Sequence, residues 1–218
     1  DFKNKSEFKK RNFLGKLVVP KINSYLKLKS KIKNFYIKLD INDENMSYVL
    51  TLAKLLNISD NAFIKSLGSF KGLPHRYEIF LKKNNCTFIN DSKATNIDAM
   101  LKAIGSANEI KNSGEIHLIC GGDLKHQNIA SINLNEVQKV KNAIIYGKDK
   151  EIIYRSINQF VECAIVSDLK EAVTLAVKLS KESDYIMLSP ACSSLDMYKD
   201  YAERGNEFKK IVSNFRYD

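Results

Sequence analysis

From residue 77 to the end of the chain, short apolar runs alternate with segments in which apolar residues recur every three or four positions. Short continuous apolar runs are typical of buried strands, and apolar residues at every third or fourth position are typical of helices. The pattern predicts strands at 77–81, 87–89, 116–120, 143–146, 164–166 and 185–188, and helices at 97–107, 133–140, 150–159 and 169–180, followed by a helical C-terminus. Lys83, Asn84 and Asn85 between the first two strands favour a hairpin.

The alternation of strands and helices predicts the fold class. Strands separated by helices pair in parallel through right-handed crossovers. The four later strands are continuously apolar, as expected of strands covered on both faces. We therefore expect an α/β fold with a Rossmann-like, mostly parallel sheet and flanking helices.

The region before residue 75 has a different pattern. Met46, Val49, Leu50, Ala53 and Leu56 recur at helical spacing, which predicts a helix of about 15 residues with Asn42 as its N-cap. A second short helix is predicted at 60–67, ending at Gly68, and the residues at 72–74 (Gly-Leu-Pro) mark a domain boundary near 70–75. The stretch 1–40 has no sustained period and is predicted to be irregular.

Composition indicates a folded protein with a local excess of basic residues. The 218 residues are 44% apolar and 28% charged, which excludes disorder as the default state. The formal net charge is +10, but residues 1–40 hold 12 Lys or Arg against 3 Asp or Glu, and the remainder is nearly balanced. We interpret 1–40 as a solvated segment, with a nucleic-acid-contacting arm as the alternative.

The sequence predicts a cytoplasmic protein with reduced thiols. It contains no run of about 18 apolar residues and no signal-peptide pattern at its start. The cysteines lie far apart with no C-x-x-C pair, and we expect them to be mostly buried: Cys86, Cys120, Cys163 and Cys192.

Three polar loops follow predicted strands, at 90–96, 121–125 and 189–194. In such a sheet, ligands bind beyond the carboxyl ends of the strands, where loops converge. Two of the loops carry a lysine, Lys93 or Lys125, so together they predict an anion-binding edge. Each feature alone has a simpler explanation: Asp91, Ser92 or Thr95 could cap a helix, the glycine pair could only turn the chain, and the lysines could be solvated.

Other site chemistries find less support. Ser194 has no partner histidine in a nearby motif, which disfavours a serine hydrolase, and Cys192 lacks an identifiable base. His75, His117 and His126 are too few and too dispersed for a metal cluster, and His117 lies in a strand as an expected core or sheet-face residue.

Five ordered segments, spread over about two thirds of the chain, carry a family resemblance. They lie at 70–78, 88–96, 121–125, 188–196 and 203–208, and they resemble the signatures of the Mur ligase family, specifically its D-glutamate-adding members, the UDP-N-acetylmuramoyl-L-alanine:D-glutamate ligases. The helix after Asn42 resembles the end of that family's central ATPase domain, with Ile41 where the family has histidine. The C-terminal portion of such a ligase is therefore expected.

The resemblance implies a domain plan. Residues 1–70 would be the remnant of the central ATPase domain, and 71–218 the C-terminal domain that binds the amino acid. The chain contains no G-x-x-x-x-G-K-[ST] motif, so the phosphate cradle and the Mg²⁺ ligands would lie in a missing part, and the fragment alone is expected to be inactive.

The resemblance also implies a reaction and its residues. An ATP-dependent amide-forming ligase would activate the carboxylate of UDP-N-acetylmuramoyl-L-alanine as an acyl phosphate, which the amine of D-glutamate then attacks, in peptidoglycan precursor synthesis. Lys93 and Arg76 would be catalytic and face the nucleotide phosphates, with Asp91 near the nucleotide. The remaining implied contacts are Asn42 and Asn45 to the adenine side of ATP, and Thr95, Lys125, Ser194 and Tyr201 to the carboxylates of D-glutamate.

Tyr201 stands where phenylalanine is usual in that family. Magnesium would accompany ATP, and no metal ligand is assigned in this chain. The expected partners are UDP-N-acetylmuramoyl-L-alanine, D-glutamate and ATP, without nucleic acid or membrane, and the expected state is a monomer. Two alternatives stay open: a non-catalytic Rossmann-like binding module whose basic N-terminal segment contacts nucleic acid, and a Mur-type ligase for another amino acid.

Overall fold

The computed structural model describes residues 18–31, 43–70, 72–111, 113–129 and 132–215. Within these ranges, 18–31 and 43–70 form one compact unit, and the residues from 72 onward form a second. Each unit has its own hydrophobic core.

The first unit contains three helices, α1 (Ile22–Lys29), α2 (Asp43–Leu55) and α3 (Asp60–Ser69). The hydroxyl of Ser59 caps α3 by accepting a hydrogen bond from the amide of Ala62 at 3.2 Å. The apolar spacing predicted α2 and α3. Asn42, the predicted cap of α2, lies outside the described residues.

Helix α1 corrects the prediction that 1–40 is irregular. It has only eight residues and buries two of them, Tyr25 and Leu28, against the apolar faces of α2 and α3. A helix this short depends on tertiary packing for its stability, so its sequence carries little periodic signal.

The second unit is built on a six-stranded sheet in the order β1-β2-β6-β3-β4-β5. Its strands are β1 (Glu78–Lys83), β2 (Cys86–Asn90), β3 (Ile116–Gly121), β4 (Asn142–Tyr146), β5 (Glu162–Ile165) and β6 (Tyr185–Leu188). β1 and β2 form the predicted antiparallel hairpin, turned by Asn84 and Asn85 in left-handed conformation, and the other pairings are parallel. The predicted mostly parallel α/β fold is confirmed.

Helices cover both faces of this sheet. They are α4 (Ile97–Ile110), α5 (Leu134–Val137), α6 (Lys150–Ile157), α7 (Leu169–Leu179) and α8 (Tyr201–Asn214). Alternate residues of β3 belong to different cores, Leu118 with α4 to α6 and Ile119 with α7 and α8. No helix within the described ranges is long and apolar enough to cross a membrane.

Two predicted elements differ from the structure. The helix predicted at 133–140 has only four residues, α5, because the chain leaves helical conformation after Val137 and continues as a turn. β5 lies at the sheet edge, where Glu162 is exposed and the other residues are half-buried, so full cover on both faces is wrong for this strand. All four cysteines are free, and three are buried, as expected.

Candidate functional site

The loops that follow β2, β3 and β6 are hydrogen-bonded to one another at the carboxyl edge of the sheet. Asp123 and Ser193 exchange two backbone hydrogen bonds of 3.1 and 2.8 Å, which join the second loop to the third. The Gln127 side-chain amide donates to the carbonyls of Thr95 at 3.4 Å and Ala191 at 3.1 Å. We call these three loops, residues 90–96, 121–127 and 189–196, the rim.

The glycine pair of the rim is required by close backbone approach. Gly121 and Gly122 have φ angles of 125° and 129°. A Cβ on Gly121 would lie 1.9 Å from the carbonyl oxygen of Tyr146, and one on Gly122 would lie 2.3 Å from that of Ser193. Only glycine combines this conformation with this approach, so the pair brings β3 and β4 and the third loop together.

Asp91 is buried and holds rim segments in place. Its carboxylate accepts hydrogen bonds from the amide of Tyr77 at 3.0 Å and from the hydroxyl of Ser189 at 2.8 Å. Its own amide donates to the carbonyl of Leu188 at 2.8 Å. The structure therefore gives Asp91 a supporting position, and its predicted role toward a nucleotide stays a prediction.

The remaining predicted residues of the second unit lie on the rim or beside it. The ammonium of Lys93 lies 3.8 Å from the centroid of the Tyr201 ring at the start of α8. Lys125 is exposed, and its amide donates to the Asp123 carboxylate at 2.8 Å, whereas Ser194 is buried. Arg76 is exposed just before β1, whose first residue pairs with the last residue of β2 at this same edge.

The adenine-side predictions concern the first unit. Asn45 is exposed in the first turn of α2, and Asn42 lies outside the described residues. Their predicted contact with a nucleotide stays a prediction.

The guanidinium of Arg204 lies beneath the rim, and sequence analysis assigned no role to this residue. Arg204 is 1% exposed and donates from Nε to the Ser92 hydroxyl at 3.0 Å and from Nη2 to the carbonyls of Ser92 and Cys192 at 2.9 and 3.0 Å. Its Nη1 is buried without a hydrogen-bond partner among the described residues. Burial lowers the pKa of Arg204 from its usual value, because desolvation disfavours the charged form.

An ion pair joins the second loop of the rim to the residues that follow β4. Lys148 Nζ and the Asp123 carboxylate are 3.0 Å apart. The amide of Lys125 and the ammonium of Lys148 lower the pKa of Asp123, and Asp123 raises the pKa of Lys148. The backbone amide of Lys148 also donates to Asp196 at 3.0 Å. Asp123 is thus ionised and paired with a cation beside the rim.

Sequence reasoning missed Arg204, Gln127 and Lys148. Arg204 stands inside the 203–208 signature, so the signal was present, but its buried position was not readable from spacing. Gln127 and Lys148 belong to no local motif. Within the described ranges no three His, Cys, Asp or Glu side chains are placed to hold a metal ion.

Comparison with known proteins identifies a family whose domain matches more than half of the chain. Residues 75–192 match the family described as "Mur ligase, glutamate ligase domain". The chain is 39% identical over 171 residues to a UDP-N-acetylmuramoylalanine–D-glutamate ligase of Hydrogenovibrio crunogenus, covering 78% of this chain and 38% of that protein. The like-named protein of Francisella philomiragia is 36% identical over 175 residues, covering 80% and 42%. The chain thus spans about two fifths of the length of these relatives.

Solved structures share the fold at low sequence identity. Escherichia coli FolC in complex with DHPP and ADP superimposes with a TM-score of 0.60 at 16% identity, covering 80% of this chain and 40% of that one. The UDP-N-acetylmuramate-alanine ligase MurC of Thermotoga maritima gives 0.57 at 17% identity, covering 78% and 37%.

Proposed function

Because the chain belongs to the Mur ligase family, we propose that it is part of an ATP-dependent ligase that adds D-glutamate to UDP-N-acetylmuramoyl-L-alanine in peptidoglycan precursor synthesis. The names of the curated relatives support this substrate pair. We place the protein in the cytoplasm as a monomer, with free cysteines in keeping with that location.

The observation that carries the proposal is the joining of three polar loops into one rim with Lys93 and Lys125. D-Glutamate carries two carboxylates, and a cation with hydroxyl and backbone donors suits a dianionic ligand. Thr95, Lys125, Ser194 and Tyr201 would bind these carboxylates, and so direct the amine toward the acceptor.

Lys93 and Arg76 would hold the phosphates of ATP on the nucleotide side of the site, with Asp91, Asn42 and Asn45 as its other contacts. Lysine and arginine side chains fit this group, since both donate charge-assisted hydrogen bonds to phosphate oxygens. When bound, ATP supplies the phosphoryl group that activates the acceptor carboxylate. We assign no Mg²⁺ ligand to the described residues and expect the metal to be held by another part of the full ligase.

Binding to this chain tests the proposal. We expect weak binding of D-glutamate and of ADP in calorimetric titrations, with Lys125→Ala reducing the first and Arg76→Ala reducing the second by about tenfold, which corresponds to the loss of one charge-assisted hydrogen bond. Lys178→Ala serves as the matched control, because Lys178 is exposed in the last turn of α7. Binding that neither Lys125→Ala nor Arg76→Ala changes would contradict the proposal.

The chain alone should not catalyse ligation, since its sequence contains no P-loop motif. We expect no product from this chain with all three substrates, and turnover when the same residues are part of a ligase with an intact central domain. The nucleic-acid alternative concerns residues 1–40, most of which lie outside the described ranges. Nucleic-acid affinity that falls steeply with salt and is lost on deleting 1–40 would favour that alternative.

A further inference from the structure

The first turn of α8 lies against the first loop of the rim. Asp200 caps the helix by accepting a hydrogen bond from the amide of Glu203 at 2.8 Å, and Tyr201 is the first helical residue. The half-buried ring of Tyr201 contacts the ammonium of Lys93, with 3.8 Å between Nζ and the ring centroid. The His75 ring forms a T-shaped pair with the same Tyr201 ring, with 6.1 Å between centroids and an interplanar angle of 75°.

The backbone next to Lys93 is also tied to this turn. The Ser92 hydroxyl donates to the carbonyl of Tyr201 at 2.8 Å and accepts from Nε of Arg204 at 3.0 Å. The amide of Lys93 donates to the carbonyl of His75 at 3.0 Å. Lys93 is therefore held at two points: hydrogen bonds hold its backbone, and the aromatic ring contacts its ammonium.

The contact matters because the lysine side chain is flexible. Its four-carbon stem and point charge do not by themselves fix where the ammonium lies. The face of an aromatic ring attracts a cation within about 6 Å of its centroid. This attraction comes from the ring face and not from the hydroxyl, so a phenylalanine would supply it as well.

We propose that Tyr201 is a positioning residue for Lys93: its ring holds the ammonium at the rim, in the place where an anionic phosphate ligand is bound. The ring contact is kept when the phosphate binds, so that Lys93 is pre-organised. The proposal rests on the phosphate-facing role of Lys93 given above. It adds a second task to Tyr201, whose implied role concerns the amino acid.

Nuclear magnetic resonance of this chain with ¹³C-labelled lysine tests the ring contact. The Lys93 ε-CH₂ signal is identified by its loss in Lys93→Arg. We expect it to be shifted upfield by the ring current, to stay shifted in Tyr201→Phe, and to return to the position of a solvated lysine in Tyr201→Leu. Tyr154→Leu is the matched control, because Tyr154 is another half-buried helical tyrosine. Circular dichroism checks that each variant is folded.

Titration with inorganic pyrophosphate tests the consequence of the contact. We expect Tyr201→Leu to weaken pyrophosphate affinity about two- to fivefold, as for the loss of one cation–π contact at an accessible site. Tyr201→Phe and Tyr154→Leu should bind as the unchanged chain does.

An unshifted Lys93 signal in the unchanged chain would overturn the proposal, as would equal pyrophosphate affinity in a folded Tyr201→Leu variant. A ring-shifted Lys93 signal in a chain that shows no measurable binding of pyrophosphate supports the ring contact and overturns the phosphate-facing role. The two failures are therefore distinguishable.

Discussion

Gly205 is a helical glycine whose missing side chain lets α8 approach the end of β2. A Cβ at this position would lie 2.3 Å from Nδ1 of His75 and 3.0 Å from both Oδ1 of Asn90 and Cβ of Ser92. The side-chain amide of Asn90 donates to the carbonyl of Gly205 at 3.2 Å. This close approach places the preceding residue, Arg204, where its guanidinium reaches the carbonyl of Ser92. The absence of a side chain at Gly205 thus helps to position the long side chain of Arg204.

Replacing Gly205 by alanine should therefore destabilise the second unit, although alanine is the better helix former. We expect Gly205→Ala to lower the free energy of unfolding by about 1–3 kcal/mol through overpacking, measured by urea denaturation. Gly105→Ala in α4 is the control, because a Cβ there would meet only the side-chain end of Glu136, at 3.2 Å. That variant should be neutral or more stable by up to about 1 kcal/mol. Equal effects of the two substitutions would contradict the argument.

At the scale of elements, the two ends of the parallel strands carry different groups of polar residues. The rim lies at the carboxyl edge, where the parallel strands end. At the amino edge, where these strands begin, a buried polar cluster joins β3, β4 and β6. Nε2 of His117 lies 2.9 Å from the carboxylate of Asp184, and Nδ1 lies 3.1 Å from the side-chain oxygen of Asn142. The Asp184 carboxylate also accepts from the amides of Glu115 and Lys181, each at 2.7 Å. This cluster sets where three strands begin.

The amino-edge cluster should make stability depend on pH. Burial opposes ionisation of Asp184, but the hydrogen bonds from His117 and the two amides outweigh it and lower its pKa. A carboxyl group with a lowered native pKa stabilises the fold above its unfolded value of about 3.9, and this contribution is lost as pH falls through the native pKa. We expect Asp184→Asn to lower the free energy of unfolding by roughly 2 kcal/mol at pH 7, and by progressively less below about pH 4. Urea denaturation of both proteins at pH 7 and below about pH 4 measures this difference. An equal loss of unfolding free energy at pH 7 and below about pH 4 would exclude a stabilising role for the ionised Asp184 carboxylate.

At the scale of the whole molecule, the cores of the two units are separate. Among the residues that the structure describes, the two cores that flank the sheet are formed by residues of the second unit, and the core of the first unit is formed by residues of α1 to α3. Helix α2 leaves Leu52, Leu55 and its neighbour Leu56 exposed, by 59, 56 and 71%. The described core residues of the sheet unit thus come from that unit itself.

This separation predicts that residues 71–218 fold alone. We expect the shortened chain to unfold cooperatively, because a unit of this size with cores on both sheet faces can be stable by itself. Its urea midpoint, followed by circular dichroism, should match that of the sheet unit in the whole chain. A non-cooperative transition or a clearly lower midpoint would show that the first unit contributes to the stability of the second.

The elements that the sequence predicted well are those with strong local patterns. The hairpin was readable from the asparagines at its turn, and the parallel strands from apolar runs separated by helical spacing. Helix α1 and the length of α5 were not readable, because short helices are stabilised by what they pack against. The exposure of β5 was missed for the same reason: the strand order, which places it at the edge, is not a local property.

The amino-acid sequence by itself determined the chemistry of the rim loops, the α/β class of the second unit and the resemblance to one family, since each depends on residue type and order along the chain. Only the tertiary structure decided that Arg204 lies beneath the rim, that Gln127 joins Thr95 to Ala191, and that the Lys93 ammonium rests on Tyr201. These contacts join residues 30 or more positions apart. They depend on how strands are ordered and how closely helices approach, and no spacing along the chain encodes those distances directly.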